Sequence, residues 1–156
     1  MTSITAHPRV AKRRSVGAIL AIVVLALAAA GCMPGDARTF LERTNNYRIS
    51  KGVPVLREHD TLTRKAEDWA QHMAATGRLE HSNLSSGLSG LAWKSLGENV
   101  GYSSPTSDTY KTIHNMFVNS SGHRANLLNK GFTHMGVGVA KDKYGRVWVA
   151  EVFARL

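Results

Sequence analysis

The side chains best suited to chemistry fall in three short segments of the chain. They are Leu79-Glu80-His81-Ser82, Gly97-Glu98-Asn99-Val100 and Ser120-Ser121-Gly122-His123-Arg124-Ala125-Asn126-Leu127-Leu128. His123 follows Ser120 and Ser121, which open a short helix. The positive end of that helix disfavours an imidazolium and leaves a neutral ring able to coordinate. Glu98 is placed to accept a hydrogen bond from an imidazole and so orient it. A purely structural reading of the same residues stands beside this one: Glu98 ties down loop backbone and the two histidines complete its hydrogen bonds. Ser82 next to His81 is a poor nucleophile–base pair, because adjacent residues rarely present both side chains at attack geometry. The remaining mature-chain histidines, His59, His72, His114 and His134, read as ordinary surface or core residues. Neither an H-E-x-x-H helix nor a phosphate-binding glycine loop is present.

The elements that must position these residues follow from periodicity. Asp36 is placed to cap a first helix with Phe40, Leu41, Thr44, Tyr47 and Arg48 on one face, ended by Gly52 and Pro54. Val53–Leu56 reads as a brief extended link. Asp60 opens a second helix in which Leu62, Ala66, Trp69, Ala70 and Met73 recur at amphipathic spacing, with Gly77 as C-cap. Trp69 is expected in the core. From Arg78 to about Thr106 no period is sustained, which predicts a long loop. A third helix follows Pro105 and buries Tyr110, Ile113 and either Phe117 or Met116. Met135–Val139 and Arg146–Phe153 flank the turn-rich Asp142–Gly145 and predict an antiparallel hairpin. Helices first and strands last imply an α+β domain over residues 36–156.

Residues 1–32 read as an export segment. Arg9, Lys12, Arg13 and Arg14 precede an uncharged apolar run from Val16 to Ala30, a positive n-region followed by an h-region. The run ends at Ala28-Ala29-Ala30-Gly31-Cys32, and Cys32 is the only cysteine. A thiol at a new N-terminus is a lipid attachment point, with each buried methylene contributing roughly 0.8 kcal/mol to anchoring. Cleavage after Ala30 and retention as an uncleaved anchor are the other two outcomes, although a span takes about 20 apolar residues and this run is shorter. The domain is therefore expected to be exported, either lipid-anchored to the cell membrane or secreted. It can form no internal disulfide. Outside the export segment sixteen Lys and Arg face eleven Asp and Glu, a net charge of +5. These charges are scattered, which argues against a nucleic-acid partner and for weak attraction to anionic lipid or envelope polymer.

In this order, the three segments resemble the CAP superfamily of cysteine-rich secretory, antigen 5 and plant pathogenesis-related 1 proteins. The likeness runs from Asn46-Tyr47-Arg48 to Trp148-Val149-Ala150-Glu151-Val152-Phe153 and looks like the bacterial, SCP-like branch, which often reads W-x-x-S-P-G-H-R-x-N. Phe117 here replaces the Trp and Ser121 the Pro. The resemblance implies an α-β-α sandwich with a small antiparallel sheet and a shallow cleft holding two His and two acids. His81, Glu98 and His123 match three of the four, and Ser120 stands at the fourth. Two imidazoles with water would make a weak site for Zn²⁺ or a similar cation. Glu151 is a candidate for the missing acid, though a solvated strand position is the plainer reading. A cell-envelope binding module for a lipid, sterol-like molecule, polymer or protein is the function implied. The alternatives are a metal-dependent hydrolase, with His81 and His123 holding the ion and Glu98 as general base, and a structural envelope protein.

Overall fold

The computed structural model describes residues 34–156; Cys32 and the export segment lie outside the described residues. The chain runs α1 (Gly35–Ser50), β1 (Arg57–Glu58), α2 (Asp60–Thr76), β2 (Ser95–Ser103), α3 (Thr109–Asn119), α4 (Ser121–Leu127), β3 (His134–Lys141) and β4 (Val147–Arg155). The strands form one mixed sheet in the order β1-β3-β4-β2, parallel only between β1 and β3.

Strand alternation divides the core in two. On one face Val147, Val149 and Phe153 of β4 and Met135 and Val137 of β3 pack with Phe40 of α1, Ile113 and Phe117 of α3, and Leu127 of α4. On the other, Trp148, Ala150, Val152 and Ala154 meet Leu62, Ala66, Ala70 and Met73 of α2. Period 2 in the strand and 3.6 in the helix thus give the α-β-α sandwich that the sequence implies. The sheet has helices on both sides, and β4 is buried along almost its whole length.

Glycines set how closely the layers approach. A Cβ on Gly136 would sit 2.1 Å from the backbone of Leu62 and Thr63, and one on Gly138 would sit 2.1 Å from the carbonyl of Ala66. α2 therefore lies directly on β3. In β2, a Cβ on Gly97 would meet the Phe132 ring at 2.8 Å, and one on Gly101 would meet the Phe117 ring at the same distance.

Several expectations are corrected. The long loop from Arg78 to Thr106 contains the nine-residue strand β2. Its alternation is masked in sequence because Gly97 and Gly101 occupy positions where rings, not side chains of the strand, fill the core. Asp36 lies in the first turn of α1, and the N-cap position is Pro34. α2 starts at Asp60 as expected, with His59 as its cap: His59 Nδ1 accepts from Thr61 N–H at 3.2 Å. Gly77 closes α2 in the left-handed conformation at φ 68°, where a Cβ is costly. α3 starts at Thr109, capped by Asp108, and it buries Phe117 while Met116 is exposed. Trp69 is only partly buried; its indole N–H donates to the Glu80 carbonyl at 2.8 Å. A tryptophan with that partner sits at the core margin because its N–H needs an acceptor.

Candidate functional site

The site forms along β2, the edge strand. Glu98 is buried and directs its carboxylate at the turn that follows α2. Ser82 donates to it twice, from its backbone N–H to Oε1 at 2.9 Å and from its hydroxyl to Oε2 at 2.6 Å. His81 Nδ1 lies 2.8 Å from Oε1. A carboxylate only accepts, so Nδ1 carries the proton of this bond and Nε2 stays outside it. The Glu98 side chain is 1% exposed and the His81 side chain 62% exposed. A buried acceptor thus holds an open imidazole by one edge.

The turn carrying His81 is clamped from α2 as well. Lys65 Nζ donates to the carbonyls of Asn83 at 2.8 Å and Ser86 at 3.0 Å. Burial lowers its pKa and the nearby Glu98 and Asp68 charges oppose that shift. Trp69 holds Glu80, and His72, stacked on Trp69 at 4.5 Å, reaches the Glu80 carboxylate at 3.2 Å. Sequence reasoning missed Lys65. Its signal was a lysine three positions after Leu62 and one before Ala66, on the apolar face of an amphipathic helix.

His123 approaches from α4. Its ring is half-buried and meets Phe117 edge-on at 4.9 Å. Burial first, and the charge of His81 second, lower its pKa, which favours the neutral ring. Backbone positions are fixed by amides: Asn126 Nδ2 donates to the Glu98 carbonyl and to Asn99 Oδ1, both at 3.0 Å, and Asn99 Nδ2 donates to the His123 carbonyl at 3.3 Å. Neither Asn99 nor Asn126 was singled out from sequence, although both stand inside the motifs that carry the histidines.

Glu151 is not a solvated strand residue. It pairs with Asn99 across β2 and β4, it is 0% exposed, and it accepts from Thr44 Oγ1 at 3.2 Å and Asn99 Nδ2 at 3.0 Å. Because β4 has helices on both sides, neither set of alternating residues faces water. The other histidines also have ordinary places: His59 caps α2, His72 pairs with Glu80, His134 packs edge-on to His59 at 5.9 Å, and His114 is buried between α3 and α1 beside Tyr47.

The donor set available to a metal is two imidazoles. Both Glu98 oxygens are committed to Ser82 and His81, Ser120 supplies no carboxylate, and among the described residues no three His, Cys, Asp or Glu groups gather as a metal cluster. These residues do not fit a resident metal centre, which takes three or four protein ligands. Ser82 and His81 both bond Glu98, which leaves no Ser–His pair. A groove of about 530 Å³ runs between the end of α2 and the β3–β4 turn, lined by Ala74, Gly77, Ala140, Lys141 and Tyr144 among others; neither His81 nor His123 lines it.

The model of the cysteine-rich secretory protein family, CAP, matches residues 41–152. YkwD of Bacillus subtilis is 29% identical over 122 residues, covering 74% of this chain and 46% of YkwD. The human Golgi-associated plant pathogenesis-related protein 1 is 33% identical over 119 residues, covering 70% of this chain and 75% of that protein. Among solved structures, an extracellular SCP-domain protein of Bacillus anthracis superposes with a TM-score of 0.65 at 25% identity, covering 78% of this chain and 41% of that one. The fold and the match over residues 41–152 define a CAP, or SCP-like, domain. This chain belongs to the cysteine-rich secretory protein family, in the company of bacterial members. It spans less than half the length of YkwD and of the Bacillus anthracis protein.

Proposed function

We propose that this is an exported CAP-domain protein of the cell envelope that works as a binding module, with the open edges of His81 and His123 as its contact surface and Cys32 as its lipid anchor. The observation that carries the reading is the state of Glu98. It is buried, and both oxygens are held by Ser82 and His81. A general base must reach a water or substrate proton, and this carboxylate is spent on orienting an imidazole. What it presents is an exposed ring held by one edge, and the half-buried His123 ring, whose lowered pKa favours its neutral form, is the second hydrogen-bonding edge. Such a pair suits hydrogen bonding to a polar partner, and the excess of basic residues favours an anionic envelope polymer or lipid surface. The extracellular SCP-domain protein of Bacillus anthracis supports the exported location, as does the apolar run ending at Cys32.

Co-sedimentation of the lipid-free domain with isolated cell envelopes tests the reading. Replacing both His81 and His123 with Ala is expected to weaken retention about tenfold, the equivalent of roughly 1.4 kcal/mol, while leaving the folded far-UV spectrum intact. Equal retention of the wild type and the folded double variant would remove the cleft from the binding surface.

A further inference from the structure

Glu151 has no direct contact with the cleft, yet its hydrogen bonds lead there. We propose that Glu151 is a positioning residue for His123, acting through Asn99; this deepens the binding-module reading and rests on it. Asn99 has one amide N–H₂ and one carbonyl oxygen. The N–H₂ group is shared between Glu151 Oε2 at 3.0 Å and the His123 carbonyl at 3.3 Å, and the oxygen accepts from Asn126 at 3.0 Å. These three partners admit one orientation of the amide: flipped, its oxygen would face the Glu151 and His123 oxygens and its N–H₂ would face that of Asn126. Glu151 supplies the shorter of the two acceptor contacts on the nitrogen, 3.0 Å against 3.3 Å, and so holds the amide where it meets the His123 carbonyl.

The same Asn126 Nδ2 that meets Asn99 also donates to the Glu98 carbonyl at 3.0 Å, so the strand carrying Glu98 and the helix carrying His123 are joined through two amides. The chain of bonds starts at Thr44 on α1, passes through Glu151 on β4 and Asn99 on β2, and ends on α4. Asn99 and Glu151 are both 0% exposed, so water cannot substitute for a missing partner, and an unmet bond costs its full desolvation. Loss of the Glu151 acceptor leaves a buried Asn99 N–H without a partner, so the amide shifts to recover one, and the His123 carbonyl it holds at 3.3 Å moves with it, together with the ring that meets Phe117 edge-on at 4.9 Å.

The test uses nuclear magnetic resonance of the domain with no envelope material present. Glu151→Met keeps the volume but removes the acceptor. It is expected to shift the His123 imidazole Cε1–Hε1 signal and abolish its ring contact with Phe117. Glu151→Gln should restore both, since its amide oxygen accepts from Asn99 while its NH₂ donates to the Thr44 hydroxyl. Thr44→Val removes the other bond to Glu151 and should lower the melting temperature without moving the His123 signal. If Glu151→Met does not fold, Asn99→Ser breaks the same link at its next member and should give the same shift. An unmoved His123 signal in the folded acceptor-loss variants, or an equal movement in Thr44→Val, would overturn the proposal. Because no ligand enters the measurement, a shifted ring with unchanged envelope sedimentation would uphold this link and reject the cleft as the contact surface.

Discussion

At the scale of single residues, two buried titratable groups give the molecule an unusual pH dependence. Burial pushes the Glu151 carboxyl up from 4.5 to about 7, against the pull of its bonds to Asn99 and Thr44. Between those values the folded chain keeps a proton that the unfolded chain has lost, so this group's contribution to stability falls as pH rises. A shift of that size corresponds to on the order of 3 kcal/mol. His114 acts in the opposite sense. Burial, and then the charge of Arg43, lower its pKa from 6.5 to about 4. Its contribution is fully present above 6.5 and is lost as pH falls toward 4. The two slopes oppose each other in the wild type. Glu151→Gln is expected to unmask the histidine slope, so that urea-unfolding stability rises steadily from pH 4 to 6.5; profiles of wild type and variant that stay parallel would contradict the assignment. His81, Glu98 and His123 were legible as candidates in the sequence because each stands in a motif beside Gly or Ser, and the structure puts His81 and Glu98 in direct contact. Glu151 was not. An isolated acid in an alternating strand looks solvated unless one knows that the sheet is covered on both faces.

At the scale of elements, the glycines of β3 determine whether the sandwich closes. Met135-Gly136-Val137-Gly138-Val139 reads in sequence as half of a hairpin, and it is one. What the sequence does not convey is that the glycines face the α2 backbone. Gly138→Ala would place a methyl 2.1 Å from the Ala66 carbonyl, which α2 relieves only by moving as a body. The expected cost is about 3 kcal/mol or more, at the upper end for overpacking, read as a lowered denaturation midpoint. Gly122→Ala, where a Cβ meets nothing within 4 Å, is the control and should be nearly neutral. The same physics hid β2. Periodicity detects a strand by its own apolar side chains, whereas Gly97 and Gly101 are filled from outside by Phe132 and Phe117. The amphipathic pattern of α2, by contrast, was legible because one of its faces meets the sheet and the other meets water.

At the scale of the whole molecule, the order of helices and strands and the three motifs together were enough to imply the three-layer fold, and the match over residues 41–152 agrees. The way His81 and His123 are held was not legible. It depends on an edge strand, two amides and a clamped turn brought together from four separate parts of the chain. Under the proposed reading, an envelope partner meets the edges of His81 and His123. Hydrogen–deuterium exchange of the intact domain, with and without isolated envelopes, tests this most directly. Slowed exchange at 80–83 and 121–126 is expected on binding, lost in the His81→Ala, His123→Ala variant. Protection confined to the groove residues 74–77 and 140–146, with the cleft segments unchanged, would contradict it.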